Sequence, residues 1–162
     1  MPMRKIFVAL ATLLMLAVVV QFFLAASGAF DAAPKDESFQ PHRVLGYGIL
    51  LFAVLLTLIA ALARMPSRLI GMTGLVAGLT LVQSVIRAIA SAFGETGDST
   101  TTVGKLIFGL HAVNGLIIIA VVGMILRQAR ELSSSQAPLG RSGLADDAEA
   151  SGPAAHPAHP AS

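Results

Sequence analysis

The residues with the most chemical capacity in this chain are His42 and His111. A neutral imidazole ligates metals and passes protons near pH 7. Around them, in otherwise apolar sequence, stand Gln21, Arg43, Tyr47, Gln83, Arg87 and Asn114. At helical spacing, Arg43 and Tyr47 are i,i+4, Gln83 and Arg87 are i,i+4, and His111 and Asn114 are i,i+3, so each pair can share a helix face. Thr80 joins the Gln83/Arg87 face. Such a set can hydrogen-bond the carbonyls of a quinone, and an imidazole suits haem iron. Each residue also has a structural reading. Gln21, Gln83 and Asn114 can tie helices together, and His111 can be held by one hydrogen bond. Tyr47 can be an interface aromatic or a core residue, Arg43 an interfacial anchor, and Arg87 a cation reaching outward.

Other chemistry finds no support. There is no cysteine, which removes disulfides, thiol catalysis and Cys-ligated metal. No Walker, GxGxxG, HExxH or GxSxG pattern occurs, and no nucleophile–base pair suggests a catalytic site. His156 and His159 make at best a weak surface metal site. The net charge of +2 does not point to nucleic acid.

The elements that position these residues follow from where charge is missing. The chain has 162 residues, is 55% hydrophobic and only 12% charged, and has a mean hydropathy of +0.78; soluble domains are about 25% charged. No Asp, Glu, Lys or Arg interrupts the 25 residues between Lys5 and Asp31, the 20 between Arg43 and Arg64, the 18 between Arg68 and Arg87, or the 21 between Lys105 and Arg127. About 20 apolar residues cross a bilayer as a helix. The expected fold is therefore all-α, an antiparallel up-down bundle of four transmembrane helices over about 6–27, 41–63, 69–93 and 103–126. Residues 1–132 form the membrane domain. Residues 133–162, rich in Ala, Ser, Pro and Gly, read as a disordered tail.

Several local features refine this picture. The first segment, with Arg4 and Lys5 before it and small residues after it, imitates a signal peptide cleaved near Ala29. Its length exceeds the usual h-region, so a retained helix is expected. Ser38 is placed to cap the second helix, with Pro41 in its first turn. Gly71, Gly74 and Gly78 suggest a close-packed face, while Gly46 and Gly48 leave room for a helix or a flat ligand. No internal repeat is convincing.

Arg4, Lys5, Arg64, Arg68, Arg127 and Arg130 fall on one side, and most acidic residues fall in the opposite loops. The positive-inside rule then places both termini in the cytoplasm. Measured at about 1.5 Å per residue from the cytoplasmic charge of each helix, Gln21, Tyr47, Gln83 and His111 stand at about 22–25 Å. Arg87 lies higher, and His42 stands at about 33 Å. The expectation is an outward-side polar pocket centred on His111. The offset of about 9 Å speaks against His42 and His111 ligating one haem, leaving His111 alone or with another partner.

The stretches QFFLAASGAF, HRVLGYGILL and HAVNGLIII, with Gln83, resemble an uncharacterised family of small four-helix membrane proteins found mainly in actinobacteria. The resemblance covers about 5–130. It implies the four-helix architecture and carries the family's polar positions onto Gln21, His42, Arg43, Gly46, Gln83, His111 and Asn114, without implying an activity. HRVLGY is also similar to histidine-led helix starts in membrane b-type haem proteins, including the haem A synthase type. The leading reading is a non-enzymatic structural or accessory subunit or binding module, surrounded by membrane lipid and assembling with membrane partners or copies of itself. The alternatives are a haem- or quinone-binding redox protein and a small transporter subunit.

Overall fold

The computed structural model describes residues 2–92 and 101–134. Most of the second polar connection expected at 94–102, and the tail from 135 with His156 and His159, lie outside the described residues. Among the described residues, five helices occur in order: α1 (Pro2–Phe30), the single turn α2 (Lys35–Ser38), α3 (Gln40–Leu62), α4 (Ser67–Ala92) and α5 (Thr102–Ser134). The four long helices are each long and apolar enough to cross a membrane. The protein is an all-α four-helix bundle, and a membrane protein by that measure. The expected spans fall inside these helices except for residues at segment edges. α5 runs well beyond Arg127.

One pattern builds the bundle. The buried residues of α1 are Phe7, Ala11, Leu14 and Val18; those of α3 are Ile49, Ala53, Leu56 and Ala60; those of α4 are Leu69, Thr73, Val76 and Thr80. All three sets step 4, 3, 4. In α5 the buried series includes Ile118, Val121, Val122, Ile125 and Ala129. Spacing averaging 3.5 keeps one stripe of a helix facing its neighbours and gives side-by-side antiparallel packing. The alanines in these stripes let backbones approach closely. Buried Thr73 and Thr80 donate their hydroxyls to carbonyls of their own helix, Leu69 O at 3.1 Å and Val76 O at 2.8 Å, and so leave no unmet donor in an apolar core.

Each long helix packs on two others, α1 and α4 both touching α3 and α5. The four therefore form a square, with α3 diagonal to α5. At the end holding the chain termini, Arg4 Nη1 donates to Leu132 O at 3.2 Å. With its amide oxygen turned toward the guanidinium, Gln128 accepts from Arg68 Nε at 3.0 Å and Nη1 at 3.2 Å.

The turn from α3 to α4 is a Schellman motif. Met65 N donates to Ala60 O at 2.9 Å and Arg64 N to Ala61 O at 3.0 Å, which satisfies carbonyls left open at the helix end. Arg64 takes the left-handed conformation, φ 50°. Met65 is buried beside the core, and Pro66 prevents the helix from continuing.

Two local expectations are corrected. Ser38 does not cap α3: it ends α2, and its hydroxyl donates back to Ala33 O at 2.9 Å and Pro34 O at 3.1 Å. Pro41 does lie in the first turn of α3. The α4 glycines do not form a tight seam, because a Cβ at Gly71 or Gly78 would meet nothing within 4 Å and one at Gly74 only Thr57 Cγ2 at 3.8 Å. The close approach is elsewhere, at Gly28, where a Cβ would lie 2.7 Å from Ser38 O.

Candidate functional site

The 4-3-4 stripe of the core continues toward the other end of the bundle, and there it becomes polar. Three residues beyond Val18 comes Gln21. Seven before Ile49 comes His42. Three beyond Thr80 comes Gln83, and seven before Ile118 comes His111. All four are at stripe positions, so all four point inward, and each is partly buried. The depth expectation for Gln21, Gln83 and His111 agrees with this placement.

Two cross-helix clamps result. Between α1 and α3, Gln21 Nε2 donates to His42 O at 2.9 Å and lies 3.3 Å from His42 Nε2. His42 Nδ1 lies 3.1 Å from Gln21 O. A carbonyl only accepts, so Nδ1 carries the proton and Nε2 presents its lone pair. Between α4 and α5, Gln83 Nε2 donates to His111 O at 3.0 Å. One turn further along α5, buried Asn114 donates from Nδ2 to Leu79 O at 2.9 Å.

The clamps are related by an unexpected internal repeat. His-x-Val-x-Gly occurs at 42–46 and again at 111–115. In each copy the glutamine of the preceding helix binds the histidine carbonyl and lies against the glycine. A Cβ on Gly46 would come 3.1 Å from Gln21 Nε2, and one on Gly115 would come 3.4 Å from Gln83 Nε2. The expectation that no internal repeat is convincing is thus corrected. The signal is five residues long, and hydropathy alone hides it.

The two histidine rings meet across the diagonal of the square, with centroids 6.1 Å apart and planes at 51°. This overturns the 9 Å depth offset. The reference charges do not lie at one level: Pro66 and Arg68 share a cavity with Gln128, Glu131 and Leu132, so the α3–α4 turn is level with residues beyond Arg127. Counted from Gln128, which Arg68 meets, His111 stands about 26 Å away, so the rise per residue closes only part of the gap and the side chains close the rest.

Aromatic rings close the sides. Phe108 stacks on His111 at 5.4 Å, Phe39 meets His42 edge-on at 6.2 Å, and Phe22 lies against Gly115. Three buried polar side-chain atoms among the described residues have no partner: Gln21 Oε1, Gln83 Oε1 and His111 Nδ1. All three belong to this one layer.

Three expected members stand apart. Tyr47 is 60% exposed on the outer face of α3, because it shares a face with Arg43 and that face is off the inward stripe. Arg43 is paired with Asp36 at 3.5 Å. Arg87 is exposed one turn beyond Gln83, toward the end of the bundle. The described residues contain no cluster of three or more His, Asp or Glu able to hold a metal ion.

Residues 21–91 match DUF6220, a family of unknown function. The matched span contains Gln21, His42, Gln83 and Arg87 and stops before α5, which supplies His111 and Asn114. No curated protein and no solved structure matches the chain.

Proposed function

We propose that this protein is a non-enzymatic membrane binding module, with both termini in the cytoplasm and a ligand pocket at the extracytoplasmic end of the bundle. The observation that carries the reading is the gathering of three buried, unpartnered polar atoms, Gln21 Oε1, Gln83 Oε1 and His111 Nδ1, in one layer between the hairpins. Buried polar groups cost free energy unless they are hydrogen-bonded, and a bound molecule with matching polar groups removes that cost. The orientation is supported by the arginines and lysine at the termini end.

Purification in mild detergent, followed by organic extraction and mass spectrometry, tests the reading. The expected result is one small molecule per chain, lost in the Gln21→Leu/Gln83→Leu double variant. Protein that is empty after extraction sinks it. The competing reading is a purely structural accessory subunit, favoured by the way both glutamines tie backbone to side chain within their hairpins. It predicts that His111→Leu leaves assembly and extract unchanged.

A further inference from the structure

We infer that His42 and His111 are the two axial ligands of a b-type haem seated between α3 and α5; this rests on the pocket proposed above and names its occupant. Two imidazoles that ligate one metal from opposite sides, at about 2 Å per nitrogen–metal bond, have ring centres about 6 Å apart. The observed separation is 6.1 Å, reached across the bundle diagonal by side chains from two helices that do not otherwise pack together. An interplanar angle of 51° is compatible with such a pair, since each imidazole rotates about its own bond to the metal.

The number of ligands selects the kind of metal. A bare zinc ion asks for three or four protein ligands, and no third His, Asp or Glu joins these two among the described residues. Haem iron arrives with four nitrogens of its own and needs only axial partners from the protein. Two histidines and nothing more is the complement of such a group.

The surroundings agree in two respects. His42 donates from Nδ1 to the Gln21 carbonyl at 3.1 Å, the type of outer hydrogen bond that holds a ligating imidazole in one tautomer and orientation. Iron at His42 Nε2 takes the place of the 3.3 Å approach of the Gln21 amide, and a macrocycle over Gly46, where that amide now lies, moves it off His42 O as well.

The repeat places a glycine four residues after each histidine, on the same helix face. Each is crowded only by movable side-chain ends, Gln21 at Gly46 and Phe22 with Gln83 at Gly115. A flat macrocycle needs this absence of Cβ beside its ligands. Arg87, exposed one turn nearer the bundle end, is placed to pair with a propionate.

The test is optical. The full chain is produced in cells supplied with a haem precursor, purified in mild detergent, and titrated with haemin. The expected result is one haem per chain with a six-coordinate low-spin spectrum, oxidised and reduced. Electron paramagnetic resonance of the ferric wild-type protein should give a low-spin bis-imidazole signal, a readout independent of whether variants fold. His42→Gly and His111→Gly should each lose the six-coordinate spectrum, and added imidazole should restore it. Haem that keeps its spectrum in both variants overturns the assignment. So does recovery of a stoichiometric non-haem molecule in place of haem, which leaves the binding module standing. Protein that takes up no haemin and yields no extract overturns both.

Discussion

Gln21 and His42 are tied by three polar contacts, two through the Gln21 amide and one through its backbone carbonyl. Interhelical hydrogen bonds in membranes contribute modestly, roughly 0.6–2 kcal/mol. Gln21→Ala should therefore cost about 1–2 kcal/mol, read as an earlier unfolding midpoint in detergent. Tyr47→Phe is the control. Tyr47 faces outward, so its loss should leave the midpoint unchanged, and a shift comparable to that of Gln21→Ala would contradict this placement. Tyr47 also shows where residue spacing stops informing. An i,i+4 relation with Arg43 identifies a shared face without saying whether that face is inside. The 4-3-4 stripe through Ile49, Ala53, Leu56 and Ala60 does say so, and extending it seven residues back selects His42 and leaves Tyr47 out.

Among the elements, the spans themselves were legible because uncharged stretches of 18–25 residues leave few alternatives to a membrane helix. Their relative heights were not. That needed the contact of the two rings themselves, 6.1 Å between centroids, which no count along separate helices supplies. The α3–α4 turn stores strain. Arg64 holds a left-handed conformation that costs about 1–2 kcal/mol for a residue with a Cβ. Arg64→Gly should raise thermal stability by about 1 kcal/mol, measured as a higher melting temperature, and Arg64→Val should lower it. Gly28 presents the opposite constraint. A Cβ there meets the Ser38 carbonyl at 2.7 Å, and Gly28→Val should destabilise by about 1–3 kcal/mol. A neutral Gly28→Val would mean that α2 does not pack on the end of α1.

For the whole molecule, the square arrangement and the expected orientation make one joint prediction. A protease-sensitive tag after Ser162 should be protected in intact cells and cleaved only after lysis. Cleavage from outside would invert the topology and turn the histidine layer toward the cytoplasm. The four-helix square followed directly from short connections and apolar spans, whereas the repeat relating its halves did not. Three matching residues in each copy, on helices whose outward faces are both apolar, disappear in the general hydrophobicity of membrane sequence. They become visible once Gln21 and Gln83 are seen making the same bond.

Both glutamine clamps close inside a hairpin, one joining α1 to α3 and the other α4 to α5. Within this layer, the histidine rings and the contact of Phe22 with Gly115 reach from one hairpin to the other. In biosynthetic terms, the first hairpin can insert and latch before the second leaves the ribosome, and the second can latch without the first. What remains is a docking step between two finished halves, with the imidazole pair at the junction. A molecule held there would bind only the docked state, so its uptake would report that assembly is complete.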